Sequence, residues 1–185
     1  MGKLRGHTVY VSGSIERAID GGVGWRRQIK PRLQAMGIGV IDPTDKPDGS
    51  NVDEAEMRNI ANKAKAEGDY NKVRDMYKKI VHEDLRYTDL ASFLIVNVDM
   101  DNHLCGSIDE AFMAANQQKP VIIVCEKGME HIPNWMYGRL QHELFFTSFD
   151  DMFAYLERLD AGLEPDLDRC VFIDYKKVFG QQVDD

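Results

Sequence analysis

"CGSIDEAFMAANQQKPVIIV", residues 105–124, runs from an acidic pair through an apolar helical pattern into the aliphatic run Val121–Val124. A helix that leads within a few residues into a strand apolar on both faces is half of a parallel α/β unit, because such strands are covered by helices on both sides. The same stretch raises the functional question. Ser107-Ile108-Asp109-Glu110 fits the Ser-x-x-Glu capping box, in which serine and glutamate satisfy free N–H groups of a helix's first turn, and first-turn acids also complement the helix dipole. Glu110 is either a cap or a reactive carboxylate, and its surroundings decide.

Outward from this stretch the form repeats. "HTVYVSG" (7–13), "GIGVIDP" (37–43), "SFLIVNVD" (92–99) and "KPVIIVCE" (119–126) are β-branched or aromatic runs bounded by turn residues, and each predicts a strand. Helical patterns lie between them, from Trp25 to Met36, through a long polar stretch over 52–90, and from Ser107 to Gln117. Alternating strands and helices predict an α/β fold, flavodoxin-like or Rossmann-like, with a parallel five-stranded sheet and helices on both faces. "ELFFTSF" and "CVFID" are weaker signals for a fifth strand and a terminal strand or arm, and "IPNWMYGRLQ" and "DDMFAYLERL" supply short helices. We therefore expect an α/β domain over 1–150, with a charged helical insertion or lid at 51–82, and a C-terminal helix and arm over 151–185. In the segment that follows residues 51–67, Val73, Met76, Tyr77, Ile80 and Leu85 keep helical spacing and form an inward stripe. Asp84 lies on or beside that stripe, where a carboxylate needs either a basic partner or a function.

With 185 residues the chain is sized for one packed core. Its net charge of -8 and pI near 5.1 argue against binding a nucleic acid polymer, which needs clustered Lys and Arg, but leave a single nucleotide open. Cys105, Cys125 and Cys170 are widely spaced, with no CxxC pair and no histidine at metal-site spacing, and read as reduced, mostly buried thiols. The amino-terminal MGKLRGHTVYVSGS lacks a signal-peptide pattern, and no apolar run approaches the ~20 residues of a membrane span. A soluble, cytoplasmic protein is expected.

Ligands of open parallel sheets bind beyond the carboxyl ends of the strands, where the strand order reverses. The first strand ends in Ser12-Gly13-Ser14, followed by Arg17, Asp20, Gly21, Gly22 and Gly24, with Arg26 and Arg27 entering the next helix. Glycines admit close backbone approach, and helix amino termini with nearby arginines favour an anion such as phosphate. Neither a GxxxxGK[ST] loop nor a GxGxxG fingerprint is present, and a flexible structural loop explains the glycines equally well. The third strand ends at Asn97-Val98-Asp99, and Asp101, Asn102 and His103 lead to the Gly106-Ser107 turn. If the first and third strands are neighbours, Glu110 faces a shared cleft and Asp84 arrives from the preceding helix. Paired carboxylates suit cleavage of a bond to an anomeric carbon, one as nucleophile and the other orienting or moving a proton.

Four stretches in order, "VYVSGSI" (9–15), "VIDP" (40–43), "EDLRYTDLASFLIVNVD" (83–99) and "GSIDEAFMAANQQKPVIIV" (106–124), resemble the nucleoside 2-deoxyribosyltransferase-like superfamily, which includes the 2'-deoxynucleoside 5'-monophosphate N-glycosidases. The resemblance implies that Glu110, the glutamate of the family's GSxxE or GTxxE motif, is the nucleophile that takes the deoxyribosyl group. It places the family's strand-one tyrosine on Tyr10 and its helix-borne aspartate on Asp84, with Asp89 the neighbouring choice. It also implies a homo-oligomer in which a neighbouring chain completes each pocket. Two positions depart from the pattern. Phe112 stands where the family usually has glycine, and Leu104 where the transferases carry aspartate and the monophosphate hydrolases serine. The displaced binding role then falls to Asp99, Asp101 or His103, or the activity differs from the family's standard one.

The expected function is cleavage or transfer at the N-glycosidic bond of a deoxynucleoside or its 5'-monophosphate, with Glu110, Asp84 and Tyr10 as the catalytic group. Ser12, Gly13, Ser14, Arg17, Asp89, Asp99, Asp101, Gly106 and Ser107 are the candidate substrate-binding residues, and neither metal nor cofactor is called for. The alternative is a nucleotide-binding or sensing module of the same fold without turnover. A homodimer or larger homo-oligomer is expected as well, because Phe149, Met152, Phe153, Phe172 and Phe179 would form an apolar patch if the core could not bury them.

Overall fold

The computed structural model describes residues 2–15, 17–46, 49, 53–165, 172–173 and 178. In chain order the elements are β1 (Thr8–Gly13), α1 (Val23–Ala35), β2 (Gly39–Ile41), α2 (Glu54–Ala66), α3 (Tyr70–Leu90), β3 (Phe93–Asn97), α4 (Cys105–Asn116), β4 (Val121–Val124), α5 (Asn134–Arg139), β5 (Phe145–Phe146) and α6 (Phe149–Asp160). The five strands pair only in parallel, in the order β2-β1-β3-β4-β5. This is the flavodoxin-like arrangement, and the strand order reverses between β1 and β3. No helix among the described residues is long and apolar enough to cross a membrane.

The long polar stretch divides into two helices for a local reason. Gly68 takes the left-handed conformation at φ 78°, which glycine adopts without strain, and the Asp69 side chain then caps α3 by accepting from the Lys72 N–H at 3.0 Å. Helix α2 is capped the same way by Asp53, and α6 by Ser148. Ala61 and Ala64 are the buried residues of α2, whose other described side chains are half-buried or exposed. Its small buried face makes it a solvated helix lying on α3.

Alternation along the strands divides the core into two layers. Val9, Val11, Phe93, Ile95, Ile122 and Val124 face α1 and α6, while Tyr10, Leu94, Val96 and Ile123 face the side of α3, α4 and α5. The first layer corrects one expectation. Phe149, Met152 and Phe153 of α6 are buried within the chain's own core, and so is Phe172, whose ring centroid lies 5.1 Å from that of Phe93. No apolar patch is left by these residues, so the argument from them to an oligomer fails; Phe179 lies outside the described residues. Capping gave no hint of this, because it depends on which face of α6 meets the sheet.

Candidate active site

The pleat of β1 directs Tyr10 and Ser12 to the same face, toward α4. There they meet one carboxylate. Tyr10 Oη donates to Glu110 Oε1 at 3.1 Å, and Ser12 Oγ donates to Glu110 Oε2. The capping question is thereby settled. Helix α4 begins at Cys105, two residues earlier than its sequence pattern suggests, with Leu104 at the N-cap and no side-chain cap. Ser107 is thus already inside the first turn and Glu110 lies in the second, out of reach of the N-cap N–H that a capping-box glutamate must accept. Of the thiols read as mostly buried, Cys105 is exposed and Cys125 is buried; Cys170 lies outside the described residues.

Glu110 is 8% exposed, and its pKa is pushed up to about 7. Burial is the main cause and the nearby Asp84 charge adds to it, while the hydrogen bonds from Ser12 and Tyr10 and the charge of Arg26 pull the other way. Glu110 is therefore poised to change charge near neutrality, rather than being simply anionic. The Tyr10 hydroxyl is driven well above its ordinary pKa by burial and by Glu110 and Asp84, so it stays a donor. Burial also raises Asp84, against the opposing Lys46 ammonium.

A cavity of about 500 Å³ opens over these groups. Tyr10, Glu110, Asp84, Gly13, Ser14, Gly106 and Ser107 all line it, together with His103, Cys105 and Asp109. Its apolar wall comes from Pro43 and from Tyr77, Ile80, Val81 and Leu85 of α3. Tyr77, Ile80 and Leu85 belong to the stripe expected to point inward; they are half-buried and face this cavity instead of a closed core.

Other predicted residues lie elsewhere. Ser12 is 1% exposed and touches the carboxylate from below the cavity lining. Arg17 is at the rim, 3.2 Å from His103 Nε2, and Ser14 Oγ donates to the His103 carbonyl at 3.4 Å. Asp89 is not in the lining; it accepts from Gln117 Nε2 at 2.6 Å and lies 3.8 Å from Arg86. Asp99 and Asp101 also stand outside the lining, where both pair with Lys127. Of the alternatives open in the sequence, the structure brings Asp84 and His103 to the cavity.

Arg26 differs most from expectation. Wholly buried, it donates through Nε to the Val11 carbonyl at 3.1 Å, through one terminal nitrogen to Gly22 at 2.6 Å and through the other to Gly13 at 3.0 Å. The reason lies in the sheet. The His7 carbonyl accepts from Gly39, so odd-numbered carbonyls of β1 face β2, and β2 stops at Ile41 opposite Tyr10. Arg26 supplies the donors that the sheet no longer provides. Gly22 permits this wrap: it sits at φ 71°, and a Cβ there would come within 2.2 Å of the Ser14 carbonyl oxygen. Asp20 accepts the N–H groups of Gly22 and Gly24 at 2.9 and 2.7 Å, which holds its carboxyl below the usual range. A carboxylate thus already occupies the amino end of α1, and the glycines there serve structure.

Lys46 was missed by sequence reasoning. It follows β2 and is buried, with Nζ 3.1 Å from Asp84 Oδ1 and 3.2 Å from Glu83 Oε2. Its signal was its place in "VIDPTDK", just beyond the carboxyl end of a strand.

No protein-family model and no curated protein matches the chain. Solved structures do. A 2-deoxyribosyltransferase from the psychrotolerant bacterium Bacillus psychrosaccharolyticus superposes with a TM-score of 0.55 at 15% identity, over 80% of this chain and 95% of that one. The chain has the 2-deoxyribosyltransferase fold. A 2-deoxyribosyltransferase from Leishmania mexicana is also similar, with 15% identity over 81% of this chain and 96% of that one, at a TM-score of 0.49. Within the 2-deoxyribosyltransferase fold as this chain builds it, Glu110 sits at the β1/β3 switch point, where such sheets bind ligands.

Proposed function

We propose that the protein cleaves or transfers at the N-glycosidic bond of a 2'-deoxynucleoside or its 5'-monophosphate, with Glu110 as nucleophile. The observation that carries this reading is the buried Glu110 carboxylate, held by Tyr10 and Ser12 beside a cavity of about 500 Å³, a volume suited to a small-molecule ligand. The resemblance at GSxxE and the 2-deoxyribosyltransferase fold support it.

The chemistry follows from the charges. Deprotonated Glu110 attacks C1' from the face opposite the base; the C1'–N bond breaks, its electron pair leaves with the base, and the base takes up a proton. Water or a second base then attacks C1' and gives up one proton, balancing the one the leaving base took up, as the glycosyl ester breaks and the carboxylate is restored. Tyr10 and Ser12 orient the two oxygens and stabilise the anionic form. Asp84 accepts from sugar hydroxyls. The rim formed by Ser14, Arg17 and His103, with the first turn of α4, suits a 5'-phosphate.

One observation favours a binding or sensing module without turnover. Leu104, where the resemblance leads one to expect aspartate or serine, is buried and supplies no polar group. Incubation with deoxynucleosides and their 5'-monophosphates, with and without a second free base, distinguishes the readings. Free base, or an exchanged nucleoside, detected by chromatography supports catalysis; a raised melting temperature with no base released supports the binding module and overturns catalysis.

A further inference from the structure

We propose that Lys46 is a positioning residue that holds the Asp84 carboxylate in place and charged in the wall of the cavity, so that Asp84 can accept from a sugar hydroxyl beside Glu110. This rests on the reading of Glu110 as nucleophile.

Lys46 is buried where it makes this contact. Its side chain is 3% exposed, and a buried ammonium is stable only with partners. Two adjacent acids of α3 supply them, Asp84 Oδ1 at 3.1 Å and Glu83 Oε2 at 3.2 Å. Glu83 also has Lys79 at 3.6 Å, one turn earlier on the same helix. Asp84 lines the cavity and Lys46 does not, so the lysine approaches the aspartate from behind the wall. The Oδ1 atom it contacts is fully buried while the Asp84 side chain as a whole is 16% exposed, so the accessible part of the side chain lies elsewhere. The turn that places Lys46 is itself fixed, since Asp42 Oδ1 accepts from the Thr44 N–H at 2.9 Å and from Thr44 Oγ1 at 2.6 Å.

Asp84 needs such a partner. Only an ionised carboxylate is purely an acceptor, and burial works against ionisation here, with Lys46 the leading opposing influence. Lys46 in turn keeps a raised pKa, because the two acids outweigh its burial. The charged and titratable groups that act on the pair include Glu83 and Lys79 from α3, Glu110 from α4, Arg26 from α1 and the neutral Tyr10 hydroxyl from β1.

The test compares kcat/KM against pH for the wild type, K46M, K46Q, K46R and D84N. If Lys46 acts as stated, the neutral variants move the acid limb upward by about one to 1.5 pH units, which is a loss of about eight- to 25-fold at pH 6.5 and less than about threefold at pH 9. K46R stays within about threefold of wild type at both pH values, and D84N moves the limb downward, since it removes the negative charge that opposes ionisation of Glu110. A limb that stays in place or moves down in K46M and K46Q overturns the proposal, as does an equal loss at every pH. A second readout does not need turnover. In E110Q protein, the Asp84 carboxyl followed by 13C NMR titrates at least about one pH unit higher when K46M or K46Q is added. An unchanged titration overturns the role of Lys46 even where the wild type is active; a shifted titration, alongside a wild type that releases no base, sustains it and discards the nucleophile reading.

Discussion

Tyr10 and Glu110 lie one hundred residues apart in the chain and meet at 3.1 Å, phenol to carboxylate, on the floor of one cavity. This contact ties a helix residue to the first strand and supplies part of the polar shell of a buried carboxylate whose pKa is pushed up to about 7. A donor that cannot ionise near neutrality, facing an acceptor that can, is an arrangement whose parts can be tested singly.

Glu110→Gln keeps the side-chain volume and one acceptor oxygen but cannot form a glycosyl ester. Base release should fall by about 10³-fold or more with nucleotide binding retained. Rapid-quench or chromatographic assay of free base checks this, and near-wild-type turnover in the variant ends the catalytic reading.

Activity should rise with pH through an acid limb near 7, where Glu110 loses its proton. Stability runs the other way. A carboxyl whose pKa rises from 4.5 to about 7 on folding binds its proton more tightly in the folded state, so its contribution declines as pH climbs between those values, by about 3 kcal/mol in all. E110Q should therefore melt higher than wild type at pH 8, by on the order of 10 °C, with much less difference at pH 4.5. Thermal scans at the two pH values decide; a difference independent of pH contradicts the assignment.

Tyr10→Phe and Ser12→Ala each remove one hydrogen bond that favours ionised Glu110. Each should move the acid limb up by about 0.5 to one pH unit and lower kcat/KM at pH 6.5 by about three- to tenfold, with recovery at pH 9. A uniform loss across the pH range would show that they act on the substrate instead.

Arg26→Met leaves the carbonyls of Val11, Gly13 and Gly22 without their donor in a buried site. We expect a loss of about 3 kcal/mol in denaturant unfolding, with no change in the preference for nucleotide over nucleoside. Ser14→Ala and Arg17→Ala should do the reverse, shrinking that preference about tenfold at little cost in stability. Should Arg26→Met alter the preference while Arg17→Ala does not, phosphate recognition lies at the amino end of α1 after all.

Residues 105–124 and the three similar runs before them determined the α/β class, since strands apolar on both faces alternating with helices have one good packing solution. The family resemblance carried by the ordered motifs marked Glu110, Tyr10 and Asp84, and the capping aspartates of α2 and α3 obeyed rules that span a few residues. Whatever depended on distant partners was decided only by the tertiary structure. The start of α4 at Cys105 removed Glu110 from any cap and put it in reach of β1. The early end of β2 took Arg26 out of the ligand loop and into the gap beside β1. The inner face of α6 met the sheet, so aromatic residues that looked available for a partner chain were buried at home. Lys46 gained its ion pair from the meeting of the turn after β2 with α3, thirty-eight positions along the chain from Asp84. Hydrophobic period and capping act over a few residues and are written locally. Desolvation, ion pairing and the pKa values they set depend on what packs against a side chain, and a linear sequence does not specify that neighbour until the chain has folded.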